Sequence, residues 1–168
     1  MLYIRKIKEE SWFFEKEALD SDSISDLSTT NHELSVWQIE NDRSNLDNIV
    51  LALALTRNET RGIYVAIINN EDLKTEYNWD ITIMDEESDT AYNEMRNEHK
   101  NFILSSFWDL GFLAEHIHNL IQDEAKYLYY DEPKLISLLS KAITEGKISL
   151  EDLKSHKKTK WIAAYNKQ

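Results

Sequence analysis

Glycine and proline are scarce in this chain, and this scarcity limits the folds that it can adopt. Its 168 residues include three Gly and one Pro. Glycine is the residue that most easily takes the positive φ angles of tight turns, so a sandwich of many short strands would be difficult to build from this sequence. Long helices with few connections need fewer such turns. The composition therefore favours a helix-rich fold.

The chain has enough length and enough apolar residues to form one domain. Apolar residues make up 42% of it and include five Trp, eight Tyr and five Phe. These are too many large side chains for a disordered acidic protein. A chain of this length can bury a core without a disulfide or a structural metal. We therefore predict a single globular domain over residues 1–168, with an α+β half at 1–89 and a helical half with a basic C-terminal tail at 90–168.

Several short segments show the patterns of strands. Residues 2–7 alternate in part between apolar and polar, and residues 34–39 alternate with β-branched and aromatic members. Residues 62–68 form a continuous apolar run, which predicts a strand buried on both faces. Residues 79–84 alternate again before an acidic turn, whereas residues 46–55 are apolar on nearly all sides and predict a buried helix.

The pattern changes from Thr90 onwards, where apolar residues recur every three or four positions as far as Leu120. This period is that of a helix face. A helix of that length would span about 45 Å, which exceeds the width of a small domain, so we expect a kink or break near Gly111. Pro133 marks the first turn of a second helix, and Gly146 marks its end.

Together these patterns predict an α+β fold. It has a small N-terminal mixed β-sheet of about three to five strands with one buried helix. A C-terminal helical half with a long, kinked helix follows. The polar residues 19–32 predict a loop with a short strand at Ile24. Ser149 begins a short last helix, and Trp161 and Tyr165 predict that the tail docks on the body.

Charge is divided unevenly along the chain, whose net charge is −12. Residues 21–100 hold 17 acidic and 6 basic side chains, whereas the segment after Leu153 holds five lysines and no acid. An acidic surface repels the phosphates of nucleic acids and anionic membranes. We therefore expect no direct binding of nucleic acid by the acidic face and no membrane as a partner. A basic protein is the partner that this charge favours.

The sequence lacks the motifs of several enzyme classes. Cysteine is absent, which excludes a disulfide framework, a thiolate nucleophile and a metal held by thiolates. No glycine-rich phosphate loop and no nucleophile elbow is present. We predict no cofactor and no metal. The N-terminus has no signal peptide and no apolar run reaches about 18 residues, so we expect a cytoplasmic protein.

Two groups of residues are candidates for a binding surface. The densest acidic cluster consists of Asp80, Asp85, Glu86, Glu87 and Asp89. An aromatic run near the predicted second helix consists of Tyr127, Tyr129 and Tyr130. Aromatic rings anchor binding hot spots, and carboxylates around them steer the approach of a basic protein. We therefore predict a module that neutralises or regulates a basic partner, in the manner of an immunity protein, an antitoxin or a phage-related inhibitor.

An enzyme is the alternative prediction. Arg96 and His99 lie three residues apart on the predicted helix, so a cation and a general acid or base could face one substrate. This would suit a small nuclease or nucleotide hydrolase, which could instead use a carboxylate metal site. Because His99 falls on the apolar stripe, a core histidine is the simpler interpretation.

Two further hypotheses concern the helical half. His116 and His118 flank Ile117, and we interpret them as solvent-facing residues rather than metal ligands, since positions one or two apart on a helix point in different directions. The apolar stripes of the C-terminal helices also predict a homodimer in which two copies share a buried stripe across a two-fold axis.

Overall fold

The computed structural model describes residues 1–13, 19, 21–27, 29–123 and 125–167, and it shows an α+β fold built on one antiparallel sheet of six strands. The strands are β1 (Leu2–Ile7), β2 (Glu33–Ile39), β3 (Ile63–Asn69), β4 (Thr82–Asp85), β5 (His99–Ile103) and β6 (Tyr127–Tyr130). Their order across the sheet is β4-β5-β2-β1-β3-β6.

Helices lie on both faces of this sheet. They are α1 (Glu9–Trp12), α2 (Ser21–Asp26), α3 (Leu46–Ala54), α4 (Asn70–Tyr77), α5 (Phe107–Ile121), α6 (Glu132–Thr144), α7 (Leu150–Ser155) and α8 (Thr159–Tyr165), with a 3₁₀ helix at Asn93–Glu98. Within the ranges that the structure describes, none is long and apolar enough to cross a membrane.

Strand β1 lies in the middle of the sheet and pairs on both sides. It pairs with β2 from Leu2 opposite Ile39, and with β3 along its whole length, from Leu2 opposite Asn69 to Ile7 opposite Tyr64. Successive side chains of a strand point to opposite faces, so this strand contributes to both cores. The partial alternation of residues 2–7 agrees with this position.

The two faces of the sheet carry separate hydrophobic cores. On one face Ile4 and Trp37 pack against α3, α6, α7 and α8. On the other face Tyr3 and Phe102 contact each other edge to face at 5.0 Å and pack against α4 and α5. Most of β3 is buried, which confirms the strand predicted from the apolar run at 62–68.

The sheet is larger than the sequence predicted, and it is wholly antiparallel rather than mixed. The additional strands β5 and β6 come from the second half of the chain, where we expected helices. Strand β5 joins the sheet between β2 and β4, and β6 pairs with β3 at the opposite edge. The α+β class is confirmed, but both halves of the sequence build the sheet.

The prediction of one long helix from Thr90 is wrong for its first part. That part forms the 3₁₀ helix and β5, and the helix proper begins only after Ser106. The hydroxyl of Ser106 accepts from the backbone N–H of Asp109, whose carboxylate accepts from the backbone N–H of Ser106. This capping box starts α5, which then runs through Gly111 to Ile121.

Two other helices lie where the sequence predicted none. The polar stretch at 19–32 contains α2 instead of a strand at Ile24, and α4 follows directly after β3. The side chain of Asn69 accepts from the backbone N–H of Glu71 and so caps α4. Asparagine is a strong N-cap residue, so this start was readable from the sequence.

Helices α6 and α7 lie where the sequence predicted them, whereas α8 is an additional helix in the segment that was predicted only to dock on the body. Asp131 accepts from the backbone N–H of Lys134 at the start of α6, and Gly146 ends that helix with a φ of 74°. Ser149 forms a capping box at the start of α7. Trp161 is fully buried, and its Nε1 donates to the carbonyl of Arg57 at 2.9 Å. The predicted docking of the tail is confirmed.

Several turns use left-handed backbone without glycine, which follows from the scarcity of that residue. Among the described residues the non-glycine positions with positive φ are Asn31, His32, Arg43, Asn78 and Lys157. Each costs on the order of 1–2 kcal/mol relative to ordinary backbone, less for asparagine. The packing of the two cores therefore stabilises turns that their own sequence does not favour.

Two tryptophans allow a matched test of the packing on α8. We expect Trp161→Ala to lower the free energy of unfolding by about 3–5 kcal/mol, because the indole is fully buried and loses a hydrogen bond. The same change at Trp108, which is 73% exposed, should alter it by less than about 0.5 kcal/mol. Urea unfolding of both variants measures the difference, and equal losses would show that α8 does not dock.

Candidate functional site

The predicted acidic cluster lies at one edge of the sheet. Strand β4 ends at Asp85, and a turn follows that carries Glu86, Glu87 and Asp89. The side chain of Asp85 is 90% exposed and that of Asp89 is 91% exposed. Asp80 lies just before β4 and is also exposed. We call these five residues and β4 the acidic edge.

Buried residues next to the acids fix the turn to the body of the protein through hydrogen bonds. Ser88 is buried, and its backbone N–H donates to the carbonyl of Arg96 at 3.2 Å. Arg96 Nε in turn donates to the carbonyl of Ser88 at 3.0 Å. The hydroxyl of Thr90, which is fully buried, donates to the carbonyl of Ala52 in α3 at 2.7 Å. Arg96 therefore acts as a positioning residue for this turn.

His99 supports the same turn from β5. The imidazole is buried, with its Nδ1 3.2 Å from the carbonyl oxygen of Glu86 and 3.4 Å from the Glu86 carboxylate. Its Nε2 is hydrogen-bonded to the hydroxyl of Ser35, and the ring contacts Trp37 edge to face. Burial lowers the pKa of His99 from 6.5, and Glu86 partly opposes this. Burial therefore favours the neutral form of the ring over the protonated form.

The order Ser35, His99, Glu86 resembles that of a catalytic triad, which would also need donors arranged around an oxyanion. Asn101 and Arg5 are two of the donors that line the cavity beside Ser35. Asn101 Nδ2 already donates to Glu86 at 2.7 Å, and the guanidinium of Arg5 already donates to the carbonyl of Ser35 at 2.8 Å. The geometry favours a structural role for this network. Arg96 and His99 both stabilise the acidic turn through hydrogen bonds to its backbone.

Most carboxylates of the acidic edge have weak ionic partners. Lys100 Nζ lies 2.7 Å from Asp85, and His156 Nε2 lies 3.3 Å from Asp89. Lys74 lies 3.7 Å from Asp80. The carboxylates of these pairs are 84–91% exposed, so water screens the pairs and they contribute little, although Lys100 and His156 are only 14% and 18% exposed. The carboxylates can therefore exchange these contacts for those of a partner at low cost.

The three tyrosines of the aromatic run do not form one exposed patch. Tyr130 is 2% exposed, and its hydroxyl donates to Asp47 at 2.7 Å. Burial and this carboxylate raise the pKa of Tyr130. Tyr127 is half-buried against Phe13, whereas Tyr129 is 52% exposed. The run forms β6, which lies five strand spacings, about 24 Å, from the acidic edge.

Another pair of aromatic side chains is exposed instead. Phe107 and Trp108 are 76% and 73% exposed in the first turn of α5. Phe107 follows Ile103 by four residues, so its Cα lies within about 14 Å of that of Ile103. Ile103 pairs with Thr82 of β4, so the acidic edge begins within about 19 Å of Phe107. The capping box at Ser106 was the signal that could have located this pair, since it fixes where α5 begins.

His116 faces the core rather than solvent, so our interpretation of it is wrong. It is 2% exposed, and its Nδ1 lies 3.1 Å from a carboxylate oxygen of Glu76 on α4. Burial lowers the pKa of His116, and Glu76 opposes this. In the described part of the chain, no three His, Asp or Glu side chains come together in a way that could hold a metal ion.

Comparison of this chain with family models, with curated proteins and with solved structures found no match. Functional conclusions about it therefore depend on its own geometry, burial and charge.

Substitution of Glu86 tests the network around His99. We expect Glu86→Gln to lower the pKa of His99 further, because the carboxylate favours the protonated ring. Glu87→Gln removes the same charge one residue away and should leave that pKa nearly unchanged. NMR titration of the His99 ring measures both. An unchanged pKa in the Glu86 variant would show that the two side chains do not interact.

The two buried histidines also predict a pH dependence of stability. Their pKa values are lowered in the folded state, so the unfolded chain takes up protons more readily as the pH falls below about 6.5. The free energy of unfolding should therefore decrease from that pH downwards. His116→Gln should make this decrease shallower in urea unfolding at a series of pH values, and an equal slope would contradict the assignment.

Proposed function

We propose that this chain is a protein-binding module that takes up a basic protein partner at the acidic edge. The observation that supports this most strongly is the construction of the turn. Asp85 and Asp89 are exposed, while Ser88 and Thr90, on either side of Asp89, are buried and hydrogen-bonded. A charged surface that is already ordered loses little conformational freedom on binding.

Charge favours a basic partner over other classes. Residues 21–100, which include the acidic edge, carry most of the negative charge of the chain. Such a field raises the rate at which cationic surfaces meet it and repels phosphate-bearing ones. The proposed partner therefore presents lysine and arginine side chains to Asp85, Glu87 and Asp89.

Apolar contacts close to the acidic edge complete the proposed interface. Phe107 and Trp108 are exposed, and Met84 of β4 is about half exposed. Aromatic side chains near the centre of an interface supply most of the binding energy, while charges around them give specificity. We assign Trp108 the role of the anchor in this interface.

The open side of β4 offers a second means of recognition. Strand β4 pairs with β5, and no other strand of the described ranges pairs with it. An extended segment of a partner can add to such an edge through backbone hydrogen bonds. Charged side chains at an edge also prevent unwanted pairing between copies of a protein, so the experiment must separate the two roles.

The biological class of this module follows from the same proposal. A rigid acidic surface that covers a basic protein suits an immunity protein, an antitoxin or an inhibitor. The apolar stripes of α6 and α8 include Leu135, Leu139 and Trp161, which are buried within the chain. The proposed homodimer would therefore need a surface other than these stripes. Binding at the acidic edge does not require a homodimer.

The proposal predicts that binding depends on the position of the charges and not on their number. The test variant carries Asp85→Asn, Glu87→Gln and Asp89→Asn, and the control carries Glu40→Gln, Glu71→Gln and Glu115→Gln at exposed positions elsewhere. A basic protein captured by the natural chain should lose at least tenfold in affinity for the test variant and keep its affinity for the control. Calorimetry measures both affinities.

Two further measurements complete this test. Trp108→Ala should weaken the same complex about tenfold while leaving the fold stable, and added salt should lower the association rate. Equal affinities for the test and control variants would contradict the proposal. It would also be contradicted if the natural chain and the test variant captured the same proteins.

A further inference from the structure

A cavity of about 280 Å³ lies at the opposite edge of the sheet from the acidic edge. It is formed where β1 ends and β3 begins, beside β6. Its lining includes four cations and two tyrosines, and we call it the cationic pocket. Lys6, Arg57, Arg61, Tyr64, Tyr129 and Glu10 are among the residues that line it.

Two of these cations have no carboxylate partner among the described residues. Lys6 and Arg57 are half-buried, and Arg57 Nε is fully buried without a hydrogen-bond partner. Burial lowers the pKa of Lys6, and the positive charges of Arg57 and Arg61 lower it further. The cations repel each other in a chain whose net charge is −12. An anion placed between them would relieve this repulsion.

The remaining cations of the pocket are paired. Arg61 Nε lies 2.9 Å from a carboxylate oxygen of Glu59, and Lys8 Nζ lies 3.3 Å from Asp26. Among the described residues, Lys6 and Arg57 therefore remain without a carboxylate partner, although Arg57 Nη2 donates to the carbonyl of Arg61 at 3.3 Å. Guanidinium groups match phosphate geometry with two parallel hydrogen bonds, and lysine adds a compact charge.

An aromatic surface lies next to these cations. Tyr129 stacks on Tyr64 with their ring centroids 4.5 Å apart. The ring of Tyr129 also lies directly over Gly62, where a Cβ atom would approach the tyrosine hydroxyl to 2.5 Å. Two neighbours therefore fix this ring, yet it is 52% exposed. A fixed, exposed ring can stack on an aromatic ligand.

The loop that carries Arg57 is held in place by the C-terminal segment. Trp161 Nε1 donates to the carbonyl of Arg57 at 2.9 Å, and Lys158 Nζ donates to the carbonyl of Thr56 at 2.9 Å. The side chain of Asn58 donates to the hydroxyl of Thr159 at 3.0 Å and accepts from the backbone N–H of Lys160 at 2.9 Å. The pocket is therefore ordered before any ligand binds.

We propose that the cationic pocket binds a nucleoside monophosphate, with the phosphate between Lys6 and Arg57 and the base stacked on Tyr129. The chain has too few glycines for a phosphate loop, and here side chains supply the phosphate contacts instead. The volume lies at the lower end of ligand pockets, which suits one nucleotide.

Charge around the pocket limits the ligand to a small one. Glu9 and Glu10 also line the cavity, so a ligand with several phosphates would meet like charge. A nucleic acid strand would extend from the pocket across a body that is strongly negative, which disfavours it. A single phosphate on a single nucleoside satisfies both limits.

Calorimetry with four probes tests the proposed ligand class. Adenosine monophosphate should bind, whereas adenosine, ribose 5-phosphate and inorganic phosphate should bind at least tenfold more weakly, because each lacks either the phosphate or the base. If ribose 5-phosphate or inorganic phosphate binds as tightly as adenosine monophosphate, the aromatic surface does not take part and the proposal fails. Absence of binding at millimolar adenosine monophosphate would also overturn it.

Variants test the assignment to this pocket. Lys6→Gln, Arg57→Gln and Tyr129→Leu should each weaken binding of adenosine monophosphate about tenfold or more, and Glu10→Gln should strengthen it. Lys141→Gln removes an exposed lysine of α6 and should have no effect. Circular dichroism checks the fold of each variant. If Arg57→Gln does not fold, Lys6→Gln decides, and unchanged affinity there overturns the proposal.

This inference does not depend on the proposed protein partner. The variant with Asp85→Asn, Glu87→Gln and Asp89→Asn should bind adenosine monophosphate at least as tightly as the natural chain, since it leaves the pocket intact and lowers the negative field. A tenfold loss of nucleotide affinity in that variant would contradict the location of the site.

Discussion

The pairing of β1 on both of its sides is the constraint on which the rest of the structure depends. A strand in the middle of a sheet must present suitable side chains to two cores, and Arg5 and Lys6 are the two charged residues of this strand. The guanidinium of Arg5 donates to the carbonyls of Ser35 and Asp26. Asp26 also accepts from Trp12 Nε1 at 2.8 Å. This buried charge thereby fixes α1 and α2 against the sheet.

The sequence predicted an element correctly where a single signal, such as alternation or a capping residue, was present. It was misleading where a spacing typical of a helix fell on residues that form a strand. Alternation located β1 and β2, and capping residues located α6 and α7. The helix predicted from the apolar stripe after Thr90 was wrong because β5 buries polar residues such as His99 and Asn101. These residues can be buried in a strand because they form hydrogen bonds with Ser35 and Glu86. Such partners are distant in the sequence, so alternation could not reveal them.

Knowledge of the candidate sites was limited in a similar way. The acidic turn could be predicted because its residues are consecutive, whereas the order of strands could not, and this order separates Tyr129 from the acids. Counting charge along the chain also concealed the cationic pocket. Arg57 and Arg61 lie within the most acidic part of the sequence and meet Lys6 only in the folded sheet. The charge of the side chains around the pocket is positive, although the net charge of the whole chain is negative.

The hydrogen bonds between α8 and the loop after α3 have a consequence for the order of assembly. Trp161 and Arg57 are separated by 104 residues, so the loop leaves the ribosome long before the helix that holds it. The sheet needs only residues as far as Tyr130 to acquire all six strands. The loop around Arg57 should therefore become ordered late during synthesis, after all six strands of the sheet are available.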